Sequence, residues 1–184
     1  MSLTETPICN FGEKAKNFDL MSTENKKTSL DNVKGKNGTF IMFICNHCPY
    51  VKAVIKDIVK DAKYLETLGI KSAAIMSNDV KNYPEDSFEN MISFSKTHNF
   101  TFPYLIDETQ ETAKKFGAVC TPDFFGYNKN LELQYRGRIR ELKNLKPVGK
   151  GDSDLNVAMK SIAASGKGPK KQIPSMGCNI KWLK

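Results

Sequence analysis

Long apolar runs are missing from this chain of 184 residues. The longest mainly apolar stretch, Thr39–Cys45, is far too short to cross a bilayer, so an integral membrane protein is excluded and no membrane partner is expected. Residues 1–11 have neither a basic start nor a signal-length apolar segment, which argues for a cytoplasmic protein. Cysteine is scarce: five residues, unevenly spread, cannot form the framework of a disulfide miniprotein. Internal repeats, low-complexity blocks, zinc-finger spacing and aromatic–basic RNA motifs are all absent. The formal charge of +8 therefore calls for no nucleic-acid partner. Its location supports this: residues 1–139 carry 18 basic and 17 acidic side chains, residues 140–184 carry 10 and 3. The excess belongs to a Gly- and Pro-containing basic tail, read as a solvated arm.

What is present suits one α/β domain over 1–184: a core at about 39–165, an N-terminal extension at 1–38 and the tail at 166–184. Residues 1–38 are turn-rich and read as short strands and loops ahead of the main fold. Thr39–Cys45, apolar throughout and rich in β-branched and aromatic residues, fits a strand covered on both faces. Pro49 opens a long helix whose stripe is Val51, Val54, Ile55, Ile58, Val59, Ala62 and Leu65, and Gly69 closes it. Ile70–Ser77 is expected as a second, parallel strand, making the helix a right-handed crossover. Pro84, Glu85 and Asp86 open a further helix, with His98 capping its C-terminal end. Phe102–Asp107 reads as an extended segment and Glu108–Phe116 as a short helix. Asp123–Tyr127 and Leu131–Arg136 form a hairpin, and a last helix begins at Ser153 or Asp154.

Cys45-Asn46-His47-Cys48 falls between the apolar strand and the long helix. Two thiols at this spacing can close a small disulfide loop, and a helix N-terminus stabilises a thiolate. A lowered thiol pKa raises the thiolate fraction and makes that sulfur a better leaving group. A protonated His47 adds a second positive charge beside the sulfurs. Zinc is the competing use of C-x-x-C, but it needs a second close pair of ligands, and Cys9, His98, Cys120 and Cys178 are isolated. No metal or organic cofactor is expected. Cys9 is given no role.

Val119-Cys120-Thr121-Pro122-Asp123 precedes the hairpin, and a proline at a strand start points to a special geometry such as a cis peptide. Strand, C-x-x-C, long helix and Thr-Pro before a hairpin together resemble the thioredoxin fold, with a central mixed sheet flanked by helices. The resemblance implies that Pro122 packs as a cis-proline against the redox pair. Thr121 would then supply backbone groups at an edge left open for substrate, with Cys120 close to the pair. More narrowly, five stretches are similar to the peroxiredoxin-like thioredoxin-family proteins, labelled thiol-disulfide isomerase or alkyl-hydroperoxide-reductase-like. They are Phe-Ile-Cys-Asn-His-Cys-Pro-Tyr-Val-Lys (43–52), Ser-Asn-Asp-Val (77–80), Thr-Phe-Pro-Tyr-Leu (101–105), Gly-Ala-Val-Cys-Thr-Pro-Asp-Phe-Phe (117–125) and Tyr-Arg-Gly-Arg-Ile (135–139). The tail Pro-Ser-Met-Gly-Cys-Asn-Ile-Lys-Trp (174–182) belongs to the same likeness.

The likeness implies a thiol-disulfide oxidoreductase, with Cys45 the more exposed, attacking thiol and Cys48 the resolving one. Its partners would be protein or small-molecule disulfides and a cellular dithiol reductant. The alternative is an antioxidant thiol peroxidase that takes peroxides. There Cys48 is oxidised to a sulfenic acid, Cys45 or Cys178 resolves it, and Arg136, Arg138 or Arg140 stabilises the thiolate, with a solvent-facing strand arginine the competing reading. Against it, the peroxiredoxin Pro-x-x-x-Thr-x-x-Cys motif has Ile41 and Cys45 where its proline and threonine belong. Cys120 and Cys178 are candidates for further redox roles, with buried or packed spectators the competing reading. A redox-inactive binding module is a third reading, opposed by the intact pair.

Overall fold

The computed structural model describes residues 2–7 and 10–184; Cys9 lies outside the described residues. In chain order the elements are β1 (Leu3–Glu5), β2 (Asp19–Ser22), β3 (Lys27–Ser29), α1 (Leu30–Val33), β4 (Gly38–Phe43), α2 (Pro49–Thr67) and β5 (Ile70–Met76). A 3-10 turn at Pro84–Asp86 precedes α3 (Phe88–Thr97), β6 (Tyr104–Ile106), α4 (Glu111–Phe116), β7 (Cys120–Thr121), β8 (Asp123–Asn128) and β9 (Leu133–Tyr135). The chain continues through β10 (Leu142–Lys143), β11 (Lys146–Pro147), α5 (Asp154–Ser165) and β12 (Met176–Asn179). No helix among the described residues is long and apolar enough to cross a membrane.

Seven strands form a mixed sheet in the order β3-β2-β6-β5-β4-β8-β9. Strand β4 is central, parallel to β5 and antiparallel to β8. Its alternation sends Phe40, Met42 and Ile44 to one face, against Val51, Val54, Ile55 and Ile58 of α2 and Leu155, Met159 and Ile162 of α5. Ile41 and Phe43 go to the other face, with Leu30 and Val33 of α1 and Ala113 and Phe116 of α4. Coverage on both faces explains why the strand is apolar throughout rather than alternating. Helix α2 keeps the expected stripe and has Pro at its first position. Ser153 caps α5 by accepting from the Asn156 N–H at 2.9 Å, and its hydroxyl also donates to the buried Asp61 carboxylate of α2. One serine thus starts the last helix and ties it to the long one.

The structure differs from the sequence reading at several points. The helix expected from Pro84 begins later, at Phe88, because Ser87 supplies the cap by accepting from the Asn90 N–H. His98 does occupy the C-cap of that helix. Glu108–Phe116 is helical only from Glu111, since Gln110 sits in the left-handed region at φ 62°. There its side chain donates to the Ser77 and Lys181 carbonyls, at 2.7 Å each. Within residues 1–38, β2 and β3 extend the main sheet through β6. Part of the basic tail is not a solvated arm: β12 lies between β1 and β7 in a second, three-stranded sheet.

Candidate active site

Strand β4 ends at Phe43 and α2 starts at Pro49, so residues 45–48 form the turn on which the helix is launched. Cys48 is the N-cap, and its carbonyl accepts the first helical hydrogen bond, from Lys52 N–H, at 3.0 Å. The turn is held by a residue 39 positions away: the buried Asp86 carboxylate accepts from Asn46 N–H at 2.8 Å and His47 N–H at 3.3 Å. Asp86 also lies 2.7 Å from His47 Nδ1 and accepts from the Asn78 side chain at 2.8 Å. The Asn46 amide is pinned as well, donating to the Glu85 carbonyl and accepting from the Tyr104 hydroxyl at 2.9 Å. Burial would raise Asp86, but the donors from His47, Asn78 and Asn46 outweigh it and hold the carboxyl below its ordinary value. The same hydrogen bond, donated to Asp86, lifts His47 above 6.5 against the cost of burial, so its imidazolium is favoured next to the sulfurs.

The Thr121–Pro122 peptide is cis. Thr121 stands against both thiols: its Oγ1 is 3.4 Å from Cys45 Sγ, and its carbonyl accepts from Cys48 Sγ at 3.1 Å. Cys45, His47, Cys48, Thr121 and Pro122 therefore meet at the C-terminal end of β4 and the start of α2. Cys45 and Cys48 are both thiols, and both are buried, at 1% and 0% exposure. Neither thiol is open to solvent in the reduced protein. The proton is shared unequally. The hydrogen bond with Cys48 and burial raise Cys45 well above the usual thiol range, with a further push from the Asp86 charge. Cys48 is lowered to about 5 by the hydrogen bond from Cys45, aided by Thr121 and the Val51 N–H of the first helical turn. Of the two sulfurs, these contacts favour negative charge on Cys48, and ionising it gives up the hydrogen bond to the Thr121 carbonyl.

Cys178 joins this cluster. It is 4% exposed and stands opposite Thr121 in the β12–β7 ladder. Its thiol is in hydrogen-bonding contact with Cys48, and burial together with that contact pushes it up to about 12. The backbone edge at Thr121, expected to be open for substrate, is covered by β12. Gly177 makes this approach feasible, because a Cβ there would lie 2.0 Å from the Thr121 carbonyl oxygen. Ser175 closes the lock by donating to the Pro122 carbonyl at 2.6 Å. Cys120 is fully buried, and its thiol is raised chiefly by burial and next by the Asp123 carboxylate. It donates to the Pro122 carbonyl at 3.6 Å, as a packing group would.

Beside Pro122 a cavity of about 460 Å³ opens, walled by Tyr50, Val54, Phe124, Leu142 and Ile173. Each of the three arginines is bonded to a carboxylate, and Arg138 and Arg140 also line this cavity. Arg136 is buried rather than solvent-facing, bonded to Asp123 at 2.9 Å and to the Gly117 carbonyl at 2.7 Å. Arg138 and Arg140 are taken up by Asp154 and Asp57. Among the described residues, Cys45, His47 and Asp86 place one donor each within 4.8 Å of one another, a conceivable three-ligand set. Two donors at about 2 Å from a tetrahedral zinc stand roughly 3.3 Å apart. The 2.7 Å between His47 and Asp86 is a hydrogen bond that a metal would have to break. Asp86 is the functional residue that sequence reasoning missed. It reads there as an ordinary helix-opening acid, and no local spacing ties it to His47.

The comparisons agree with this geometry. The AhpC/TSA family profile matches residues 11–142. An uncharacterized conserved protein from Geobacillus kaustophilus is 38% identical over 100% of this chain and 97% of its own, with a TM-score of 0.94. A hypothetical protein from Sinorhizobium meliloti is 32% identical over 98% of each chain, with a TM-score of 0.90. The thioredoxin domain of a thiol-disulfide oxidoreductase from Bacteroides vulgatus is 12% identical over 74% of this chain and 91% of its own. Its TM-score of 0.60 bears on the fold alone. No curated protein matches. With its reduced Cys45–Cys48 turn set against Pro122, this chain belongs to the AhpC/TSA family and is a redoxin of thioredoxin fold.

Proposed function

We propose that the chain is a thiol-disulfide oxidoreductase whose working pair is Cys45 and Cys48. It would act on protein or small-molecule disulfides, be re-reduced by a cellular dithiol, and need no metal or organic cofactor. The observation that carries this reading is the meeting of both sulfurs at Thr121, the residue before the cis-proline, with the lowered thiol at a helix N-terminus. The Cys48 thiolate attacks one sulfur of a substrate disulfide, forming a mixed disulfide and releasing one substrate thiolate. Cys45 then gives up its proton and attacks Cys48 Sγ, closing the Cys45–Cys48 disulfide and releasing the second substrate sulfur, which takes the proton. The substrate gains two electrons and the pair loses two. This division of work reverses the one expected from the resemblance, because Cys45 holds its proton more tightly than Cys48. The cavity beside Pro122 offers a substrate both apolar wall, from Tyr50, Val54 and Phe124, and charged groups, from Arg138, Arg140 and Glu141. Since both sulfurs are buried, substrate exchange requires their cover to open.

Peroxide reduction is the second reading, favoured by the same lowered Cys48 thiol. Cys48 would be oxidised to a sulfenic acid and then condense with Cys45 or Cys178, releasing water. Two observations weigh against it. Ile41, at the position of the peroxiredoxin proline, packs on the opposite face of the sheet, and Arg136, Arg138 and Arg140 are engaged elsewhere.

The test is a pair of assays on wild type, Cys45→Ser and Cys48→Ser: reduction of insulin, and consumption of hydrogen peroxide. Disulfide exchange requires insulin reduction that both substitutions abolish. A mixed disulfide trapped by Cys45→Ser assigns attack to Cys48, while trapping only by Cys48→Ser returns it to Cys45. If wild type does neither and its pair cannot be oxidised, the enzymatic reading is lost.

A further inference from the structure

Cys48 has two thiol neighbours rather than one. Cys45 reaches it from the same turn, and Cys178 reaches it from β12, some 130 residues later in the chain. The approach of Cys178 is built by several independent contacts. Cys178 pairs in register with Thr121 on one side and Leu3 on the other. Gly177 permits the close passage over the Thr121 carbonyl, and Ser175 anchors the strand to Pro122. The strand thus lies where the resemblance places an incoming substrate segment, with its cysteine over the redox pair.

We propose that Cys178 is a third redox cysteine, which takes the disulfide from Cys45 by attack on Cys48. This rests on the reading that Cys45 and Cys48 cycle as a disulfide. In the step, Cys178 Sγ bonds to Cys48 Sγ, the Cys45–Cys48 bond breaks, and Cys45 departs as a thiolate that receives the proton given up by Cys178. No electrons enter or leave; one disulfide replaces another. In the reduced pair, which offers no disulfide to attack, the negative Cys48 is among the groups that hold Cys178 protonated. Closing the Cys45–Cys48 disulfide removes that charge, while the Lys181 cation, which favours the Cys178 thiolate, remains. The exchange would store the oxidised state under β12 and return Cys45 as a thiol.

Disulfide mapping of the full chain tests this. Wild type and Cys45→Ser are equilibrated in an oxidising glutathione buffer, acid-quenched, alkylated and digested without reduction. Wild type is expected to yield both Cys45–Cys48 and Cys48–Cys178 linked peptides. Cys45→Ser is expected to lose two thiols per chain and yield Cys48–Cys178. If wild type closes Cys45–Cys48 but Cys178 is linked in neither protein, the third-cysteine role is overturned and the oxidoreductase reading stands. If wild type forms no Cys45–Cys48 disulfide, both fall. The wild-type digest requires no substitution, so a misfolded variant does not spare the proposal.

Discussion

His47 Nδ1 and Asp86 Oδ2 stand 2.7 Å apart, and through this contact the buried carboxylate that ends the 3-10 turn governs the charge of a side chain beside the Cys45–Cys48 thiols. Replacing Asp86 by Asn keeps the shape and removes the charge. The His47 pKa is expected to fall, since the Asp86 hydrogen bond is the largest cause of its elevation. The Cys45 pKa should fall with it, because the Asp86 charge helps to raise it. Losing charge-assisted hydrogen bonds should cost about 1.5–3 kcal/mol. A proton NMR titration of His47 and urea denaturation read the two effects.

The pair also has a pH window. Asp86 titrates lower in the folded protein than its ordinary 3.8, so its contribution is whole above that value and is lost as pH falls through the folded pKa. His47 titrates above its ordinary 6.5, so its contribution is whole below 6.5 and is lost as pH rises through the folded pKa. The stability difference between wild type and Asp86→Asn, in which most of the thiol titration cancels, should be largest from about pH 4 to about pH 6.5. It should shrink above that range. A difference still growing at pH 8 would contradict the assignment.

Ultraviolet absorbance of the thiolate should rise with a midpoint at about 5 in the reduced protein. Cys48→Ser should abolish that transition. Cys45→Ala should move it upward, because the hydrogen bond from Cys45 is the largest cause of the lowering. A transition that survives Cys48→Ser would place the thiolate elsewhere.

Arg136 and Asp123 form an ion pair whose side chains are 4% and 0% exposed, and the guanidinium also lies 4.5 Å from the centre of the Phe125 ring. Arg136→Leu leaves a buried carboxylate without its partner and should cost about 3–5 kcal/mol in urea denaturation. Peroxide and insulin turnover per folded molecule should be unchanged. A selective loss of peroxide turnover would instead put Arg136 at the thiolate.

Gly177→Ala tests the cover over the site. The new methyl meets backbone rather than a movable side-chain tip, so β12 must shift away from β7. A cost of about 1–3 kcal/mol and faster alkylation of Cys48 in the native state are expected. Unchanged alkylation would mean that β12 does not guard the thiols.

The candidate site residues are legible where local order dictates their place. An apolar strand followed at once by Cys45, Cys48 and a helix-opening Pro49 admits few arrangements. Thr121-Pro122 ahead of a hairpin likewise announced its cis bond. Asp86 was illegible because its role is entirely non-local: nothing in Pro-Glu-Asp distinguishes a capping acid from one folded back onto a turn 39 residues earlier. Strand β12 was hidden for a related reason. Met-Gly-Cys-Asn has no apolar alternation, and it is extended because β1 and β7 offer it two ladders at once. Arg136 has the alternation of an outward strand residue, but the buried Asp123 on the neighbouring strand draws it inward.

The placement of β12 also sets an order of events during synthesis. Cys45, Cys48 and Thr121 are all made before Met176, so a growing chain can close its main sheet while the Thr121 edge is still bare. The strand that shelters the thiols is made after them, and it pairs with Leu3–Glu5, made well before them. Joining segments so distant in sequence is the slowest kind of contact to form. A newly made molecule would therefore pass through a stage in which its redox thiols are assembled but unshielded, open to partners that the finished protein excludes.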